Sequence, residues 1–246
     1  MAYRNMHHPS VLTGPELDGY LARGWYRMQQ SIFTITHSFR EEFVDFRPVW
    51  WLRFPVQGLP RHRSHDRIRR RNRHLQVRLE ASFRPDAASE ELYARYLADM
   101  PFDGYPSITD ALYGDDGPGA GTIYDTRAII LSDGGRDVAI GIFDRGQYAG
   151  ASILHGYDPA YARHSLGKYL MLLTLDHLAE AGCEWYYPGY VVSGVPRFDY
   201  KLFLGRDRAD YFDPAGQVWR PFQEELLQWD ASDPGGWEAD LEDFNC

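Results

Sequence analysis

The chain has 246 residues, 44% of them hydrophobic and 15% aromatic, with a formal net charge of -9. That length supports one large domain or two small ones around a substantial core, and the acidity excludes a protein that coats nucleic acid over its whole surface. It does not exclude one local anionic contact, because screening confines each charged patch to roughly 8–10 Å at physiological salt. The longest apolar run, near "YLMLLTLDHLAEAG", is too short and too charged to span a bilayer. The opening "MAYRNMHHPS" lacks the basic-then-apolar order of a signal peptide. Two cysteines, Cys183 and Cys246, argue against a disulfide framework. The expectation is a soluble, reduced, cytoplasmic protein without a membrane partner. No feature sets an oligomeric state.

In chain order, "PELDGYLARG" reads as a short helix, with Pro15 in its first turn and Gly24 at its end. "SIFTITHSF" alternates and reads as a strand, and "VWWLRFPV" as a second one closed by Pro55. Next comes "RHRSHDRIRRRNRHLQVR". Residues 61–78 hold eight arginines and one acid, which leaves 18 bases and 34 acids for the rest of the chain. The stretch reads as a helix with Ser64 as N-cap. Ile68 and Leu75 lie seven apart on one face, and Arg67, Arg70, Arg71 and His74 share another. "LQVRLEASF" reads as a strand and "DAASEELYARYLADM" as a helix. Residues 101–122, dense in Gly, Pro and Asp, are expected to form a loop or mobile lid. Then come the strands "IYDTRAIILS", "RDVAIGIFDR" and "QYAGASILHGY", joined by hairpin turns. A helix from Ser165 to Ala181 follows, with Gly182 as its C-cap, then the strand "EWYYPGYVV" and the segment "FDYKLFLG". The tail 230–246 has six acids and no base and is expected to be loosely ordered.

Three antiparallel strands, a helix, then a strand beside the third is the core order of N-acyltransferase folds of the GNAT type. The expected class is α/β (α+β): a mixed, mostly antiparallel sheet flanked by helices, with a smaller N-terminal α/β region. The expected division is 1–100 with the basic helix, 101–122 as loop or lid, 123–229 as the GNAT-like transferase domain, and the tail. A shared fold carries no function by itself.

Four motifs are more specific: Tyr157-Asp158-Pro159, Ser165-Leu166-Gly167-Lys168-Tyr169, Tyr187-Pro188-Gly189-Tyr190 and Tyr200-Lys201. In this order and spacing they resemble the C-terminal domain of the arginyl-tRNA–protein transferases and their bacterial leucyl-transferring relatives. The basic segment is similar to one in that family ending in Arg-Asn-x-Asp-Leu. Here it reads Arg71-Asn72-Arg73-His74-Leu75, with His74 at the usual Asp position. "ARGWYRMQQSIF" resembles the family's Gly-Trp-Arg-Arg segment. The likeness covers roughly residues 15–205 and has one departure. Where the family usually carries a cysteine cluster, "THSFREEFVDFRPVWWLRFPV" has no cysteine.

The resemblance implies transfer of an amino acid from charged tRNA to an acceptor protein or peptide with a free amine, with aminoacyl-tRNA as co-substrate and no other cofactor. Tyr157, Leu166, Gly167, Tyr169, Tyr187, Gly189, Tyr190 and Tyr200 would line the substrate site. Asp158, Ser165 and Lys201 would act in catalysis. Arg61, Arg63, Arg67, Arg69, Arg70, Arg71, Asn72 and Arg73 would contact tRNA phosphates. Each residue also has a plainer reading. Ser165 is an ordinary helix cap, Asp158 a turn residue before Pro159, Lys201 a solvated lysine, the tyrosines core packing, and the arginines a solvated helix face. Read functionally, the helix start at Ser165-Leu166-Gly167 offers free N–H groups to a phosphate or oxyanion. A CoA-dependent N-acyltransferase is one alternative. Against it, Arg163 lies four before Gly167 and Tyr169 replaces the small residue of the CoA pyrophosphate pattern. A non-catalytic tRNA- or protein-binding relative is the other alternative. His62 and His65 are neighbours with no further ligand cluster, so no metal site is expected.

Overall fold

The computed structural model describes residues 4–39, 46–59, 62–100, 104–117, 119 and 121–229. Strand β1 (Arg4–His7) precedes helix α1 (Gly14–Leu21). The Glu16 carboxylate accepts from the Thr13 N–H at 2.7 Å and fixes the start of α1. The segment Ser31–Phe39, expected as one strand, is two. β3 (Ser31–Ile35) joins β1 and β2 (Tyr26–Met28) in a three-stranded antiparallel sheet. β4 (His37–Phe39) instead pairs with β5 (Phe46–Pro55) of the main sheet.

The main sheet also holds β6 (Gln76–Glu80), β7 (Thr126–Asp133), β8 (Arg136–Arg145), β9 (Ala149–Tyr157), β10 (Trp185–Val192), β11 (Asp210–Asp213) and β12 (Val218–Pro221). Its order is β12-β11-β5-β10-β9-β8-β7-β6, with β4 on β5. Every neighbouring pair in that order is antiparallel except β9 and β10. This is the mixed, mostly antiparallel sheet that the element order implies. β5 and β6 come from the first hundred residues, so the sheet runs across the expected boundary at 101–122.

Four further helices flank it: α2 (Arg63–Asn72), α3 (Ala87–Ala98), α4 (Ile108–Tyr113) and α5 (Leu166–Glu180). Strand alternation sorts β7 between two cores. Ile129 and Leu131 join Ile68, Leu75 and the buried side of α5, while Ala128 and Ile130 join Leu92, Ile108 and Leu112 of α3 and α4. α2 is shorter than the expected helix over 61–78 and starts after His62, not Ser64. Its C-terminal end is set by β6, which pairs with β7 from Gln76. The expected loop at 101–122 contains α4. Ile108 and Leu112 are fully buried, and Glu90 accepts the Ile108 and Thr109 N–H groups at 2.8 Å each. That part is core, not lid. The hairpin β11–β12 has no counterpart in the sequence expectation, and the tail 230–246 lies outside the described residues. Cys183 is a buried free thiol. Among the described residues no helix is long and apolar enough to cross a membrane.

Candidate active site

β9 and β10 pair over three positions, Ala149–Ala151 against Trp185–Tyr187, and then part. Both strands are irregular where they part. On β9, Phe143 faces Ser152 and Ile142 faces Leu154, so Ile153 is an extra residue. On β10, Phe54 faces Tyr186 and Leu52 faces Gly189, so one residue of Tyr187-Pro188 is extra. Pro188 has no N–H to give a ladder, and bulges of this kind end pairing and re-aim side chains. The parting opens a cleft of about 1420 Å³. Its walls are Ser152–His155 of β9, Tyr186 and Pro188–Tyr190 of β10, Phe198, Tyr200 and Lys201, with Tyr26, Arg27, Phe33 and Trp51 from the N-terminal strands. No carboxylate is among the described lining residues.

The sequence-predicted substrate and catalytic residues divide into separate places. Gly189, Tyr190, Tyr200 and Lys201 meet at the cleft. The Lys201 ammonium lies 4.7 Å from the Phe198 ring centre and 5.0 Å from that of Tyr200. Gly189 has φ +101°, and a Cβ there would stand 3.3 Å from Lys201 Cε, so glycine both permits the turn and leaves room for the lysine. Tyr187, expected at the site, points the other way. It is 1% exposed and packs edge-on against Tyr26 and Trp219. Tyr157 lies against Tyr96, with ring centres 4.9 Å apart, outside the cleft lining.

The start of α5 also differs from its sequence reading. Leu166 is fully buried and Tyr169 nearly so, both in the α5 core. Ser165 adopts a left-handed conformation (φ 57°, ψ 45°) and makes no side-chain cap bond. A Cβ on Gly167 would meet nothing within 4 Å, so the first turn of α5 is open to a ligand there. Asp158 is held away from the cleft. It accepts from Arg136 at 2.6 Å and from the Ala160 N–H at 3.0 Å, and pairs with Arg95 at 3.4 Å. Those contacts make it a turn-fixing residue.

The basic helix is divided as well. Arg63, Arg67, Arg70, Arg71 and Arg73 are exposed. Arg69 is engaged by both oxygens of Asp176 on α5, at 2.5 and 2.8 Å, and Arg71 donates to the Arg163 carbonyl. Asn72, expected at the tRNA surface, is fully buried. Its amide donates to the Ile68 and His164 carbonyls at 3.1 and 3.0 Å, and its oxygen lies 3.0 Å from His164 Nδ1. An asparagine there has a structural use, since it ties α2 to the turn before α5. Arg61 lies outside the described residues. At the other end of α2, His65 Nε2 bonds the Phe203 carbonyl at 3.0 Å, two residues beyond Lys201. The arginine face and the cleft are therefore braced by one short segment.

Three cleft groups escape the sequence reading: Ser152, His155 and Tyr186. Plain alternation would send Ser152 and His155 to opposite faces of β9. The extra residue Ile153 turns both toward α5, where Ser152 Oγ lies 2.6 Å from Tyr186 Oη, and a Cβ on Gly141 would touch both His155 and Leu170. Burial, helped by the charge of Lys201, pushes His155 down from 6.5 to about 4, so its ring is neutral at pH 7. The unfolded chain takes that proton near pH 6.5 and the folded protein near pH 4. Stability should therefore fall on acidification through this window, by about 3 kcal/mol from His155 alone. Urea unfolding at several pH values should show a shallower fall in His155→Phe. Identical slopes in the two proteins would contradict the assignment.

A mostly antiparallel sheet that parts between two parallel strands, with a helix connecting them, is a GNAT-like fold. The chain belongs to the arginine-tRNA-protein transferase family: the family pattern "Arginine-tRNA-protein transferase, C terminus" matches residues 72–205. An aspartate/glutamate leucyltransferase of Ruegeria pomeroyi is 28% identical over 194 residues, which cover 75% of this chain and 66% of that one. A protein of the same name from Pseudomonas fluorescens is 30% identical over 175 residues, covering 67% and 69%. The matches thus span about two thirds of these relatives' lengths. Among solved structures, a GCN5-related N-acetyltransferase from Kribbella flavida aligns with a TM-score of 0.34 at 12% identity, over 71% of this chain and 54% of that one.

Proposed function

We propose that the protein transfers an amino acid from charged tRNA to the free amine of a protein or peptide N-terminus. The amine attacks the ester carbonyl, and the ribose hydroxyl leaves. The ester is already activated, so much of the task is to hold two substrates in reach of one another. The observation that carries this reading is the bracing of α2 against the segment of Tyr200 and Lys201 through His65 and Phe203. It supports a path in which exposed arginines hold the tRNA backbone while its aminoacylated end enters the cleft. Aromatic rings along that path suit stacking with a terminal base. Lys201 is a donor for the developing oxyanion, and an N–H at the open turn of Gly167 can meet a phosphate.

The relatives' name suggests the first pair to try, a leucyl donor and an acceptor beginning with Asp or Glu. Apolar walls such as Ile153, Leu154 and Met171 suit the first, and the Lys201 ammonium, with no carboxylate among the described lining residues, suits the second. Charged tRNA places the reaction in the cytoplasm. The test incubates the protein with each of the charged tRNAs and with peptides of defined N-terminus. Ester consumption above spontaneous hydrolysis, with a new amide on the peptide, is expected for at least one pair. No such consumption with any charged tRNA would remove this reading.

A further inference from the structure

Where the two strands part, the hydroxyls of Ser152 and Tyr186 form a pair, 2.6 Å between oxygens. Tyr186 is fully buried, and Ser152 is the partner its hydroxyl has among the described residues. Ser152 is partly exposed and lines the cleft. Burial holds the Tyr186 phenol well above its ordinary range, so it stays protonated and is available as a donor to Ser152 Oγ. With Tyr186 donating, the hydroxyl hydrogen of Ser152 is left to point into the cleft, and a lone pair of Oγ remains. A small hydroxyl in that state can give one proton and take another.

The chemistry asks for such a group. A ribose hydroxyl is a poor leaving group unless it is protonated as it departs, and an attacking amine must shed a proton as it becomes an amide. No carboxylate is among the described residues that line the cleft, and the neutral His155 ring is a weak base. We propose that Ser152 is a proton shuttle in aminoacyl transfer, with Tyr186 as the residue that positions it. This rests on the reading of the protein as a tRNA-dependent transferase. The amine nitrogen bonds the ester carbonyl carbon, and the bond from that carbon to the ribose oxygen breaks. The electron pair goes to the ribose oxygen, which takes the proton of Ser152. Ser152 takes the proton that the nitrogen sheds. The products are an amide and a free ribose hydroxyl, and the serine is unchanged.

The experiment compares wild type, Ser152→Ala, Ser152→Thr and Tyr186→Phe with two donors. One is the charged tRNA. The other is the p-nitrophenyl ester of the same amino acid, whose leaving group departs as an anion before the nitrogen gives its proton to water, so neither transfer by Ser152 is needed. With charged tRNA, Ser152→Ala should lower kcat by about 10²-fold with KM nearly unchanged. Ser152→Thr should recover most of the loss, and Tyr186→Phe should fall between. With the activated ester, all four should differ by no more than a few-fold. A solvent deuterium isotope effect on kcat should be present in wild type and absent in Ser152→Ala. Equal losses on both donors would mean that Ser152 only shapes the site, and would overturn the shuttle. So would a fully active Ser152→Ala. If wild type spends neither donor, the functional reading falls and the shuttle with it, a result distinct from an active wild type with an indifferent serine.

Discussion

Arg27→Ala is expected to destabilise the protein by about 3–5 kcal/mol, because it leaves a buried carboxylate without its counter-charge. The side chains of Arg27 and Asp144 are each 1% exposed, with Nη1 2.8 Å from Oδ1. The guanidinium makes further bonds to Thr126 Oγ1 at 2.8 Å and to the Leu112 and Gln29 carbonyls at 2.7 Å each. Its carbon also lies 4.3 Å from the centre of the Tyr124 ring. One side chain from β2 thus fastens the N-terminal sheet to β7, β8 and α4. With Arg27 gone, Asp144 keeps the Thr126 hydroxyl, while its other oxygen already lacks a partner among the described residues. A typical domain is stable by about 5–15 kcal/mol, so the loss is a large share of the total. Urea unfolding should show a lower midpoint with little change in slope. Arg220→Ala, at a half-exposed pair with Asp213, should lose about 1 kcal/mol or less. Equal midpoint shifts in the two variants would refute the argument. Replacing both members, as Arg27→Met with Asp144→Leu, should be milder than Arg27→Ala, since no buried charge is then left alone.

The same arginine shows how far the sequence reaches. Arg27 lies in "GWYR", a segment legible as a family likeness, yet its partner Asp144 is 117 residues away and nothing local announces the pair. The order of three antiparallel strands, a helix and a fourth strand was legible, because period-two and period-3.6 patterns are local. The cleft was legible in part: Gly189, Tyr190, Tyr200 and Lys201 belong to compact motifs and do meet there. Tyr187 was not, since its neighbours Tyr186 and Tyr190 are equally aromatic and a one-residue bulge decides which ring faces which side. Ser152 and His155 were hidden for the same reason. The hairpin β11–β12 was missed because its two strands are four residues each, and its pairing with β5 is non-local. α4 was missed because glycine, proline and aspartate around it dominate the composition of 101–122, while four of its six residues are buried.

The basic helix gives the other large expectation: the triple variant Arg63→Ala, Arg67→Ala, Arg70→Ala should lose tRNA affinity steeply at low salt and much less at high salt. These three side chains are four and three positions apart, so they share one side of α2. They are exposed and make no ion pair among the described residues. Arg69 and Arg71 carry as much charge but are committed to Asp176 and to the Arg163 carbonyl. A cation already paired within the protein releases fewer counterions from a nucleic acid than a free one does. If each of the three neutralises one phosphate, the slope of log affinity against log salt should fall in magnitude by about 2–3. Arg69→Ala should change that slope less, and should cost about 1 kcal/mol or less of stability, because its pair with Asp176 is partly exposed. The triple variant should unfold within about 0.5 kcal/mol of wild type, as exposed substitutions do. Filter binding of charged tRNA across roughly 50–200 mM salt reads the slope directly. An unchanged slope would put the tRNA on another face, and these three arginines would then serve solubility. A changed slope would account for how a chain of net charge -9 engages a polyanion: three exposed cations lie together on one side of one helix that is braced to the segment lining the cleft.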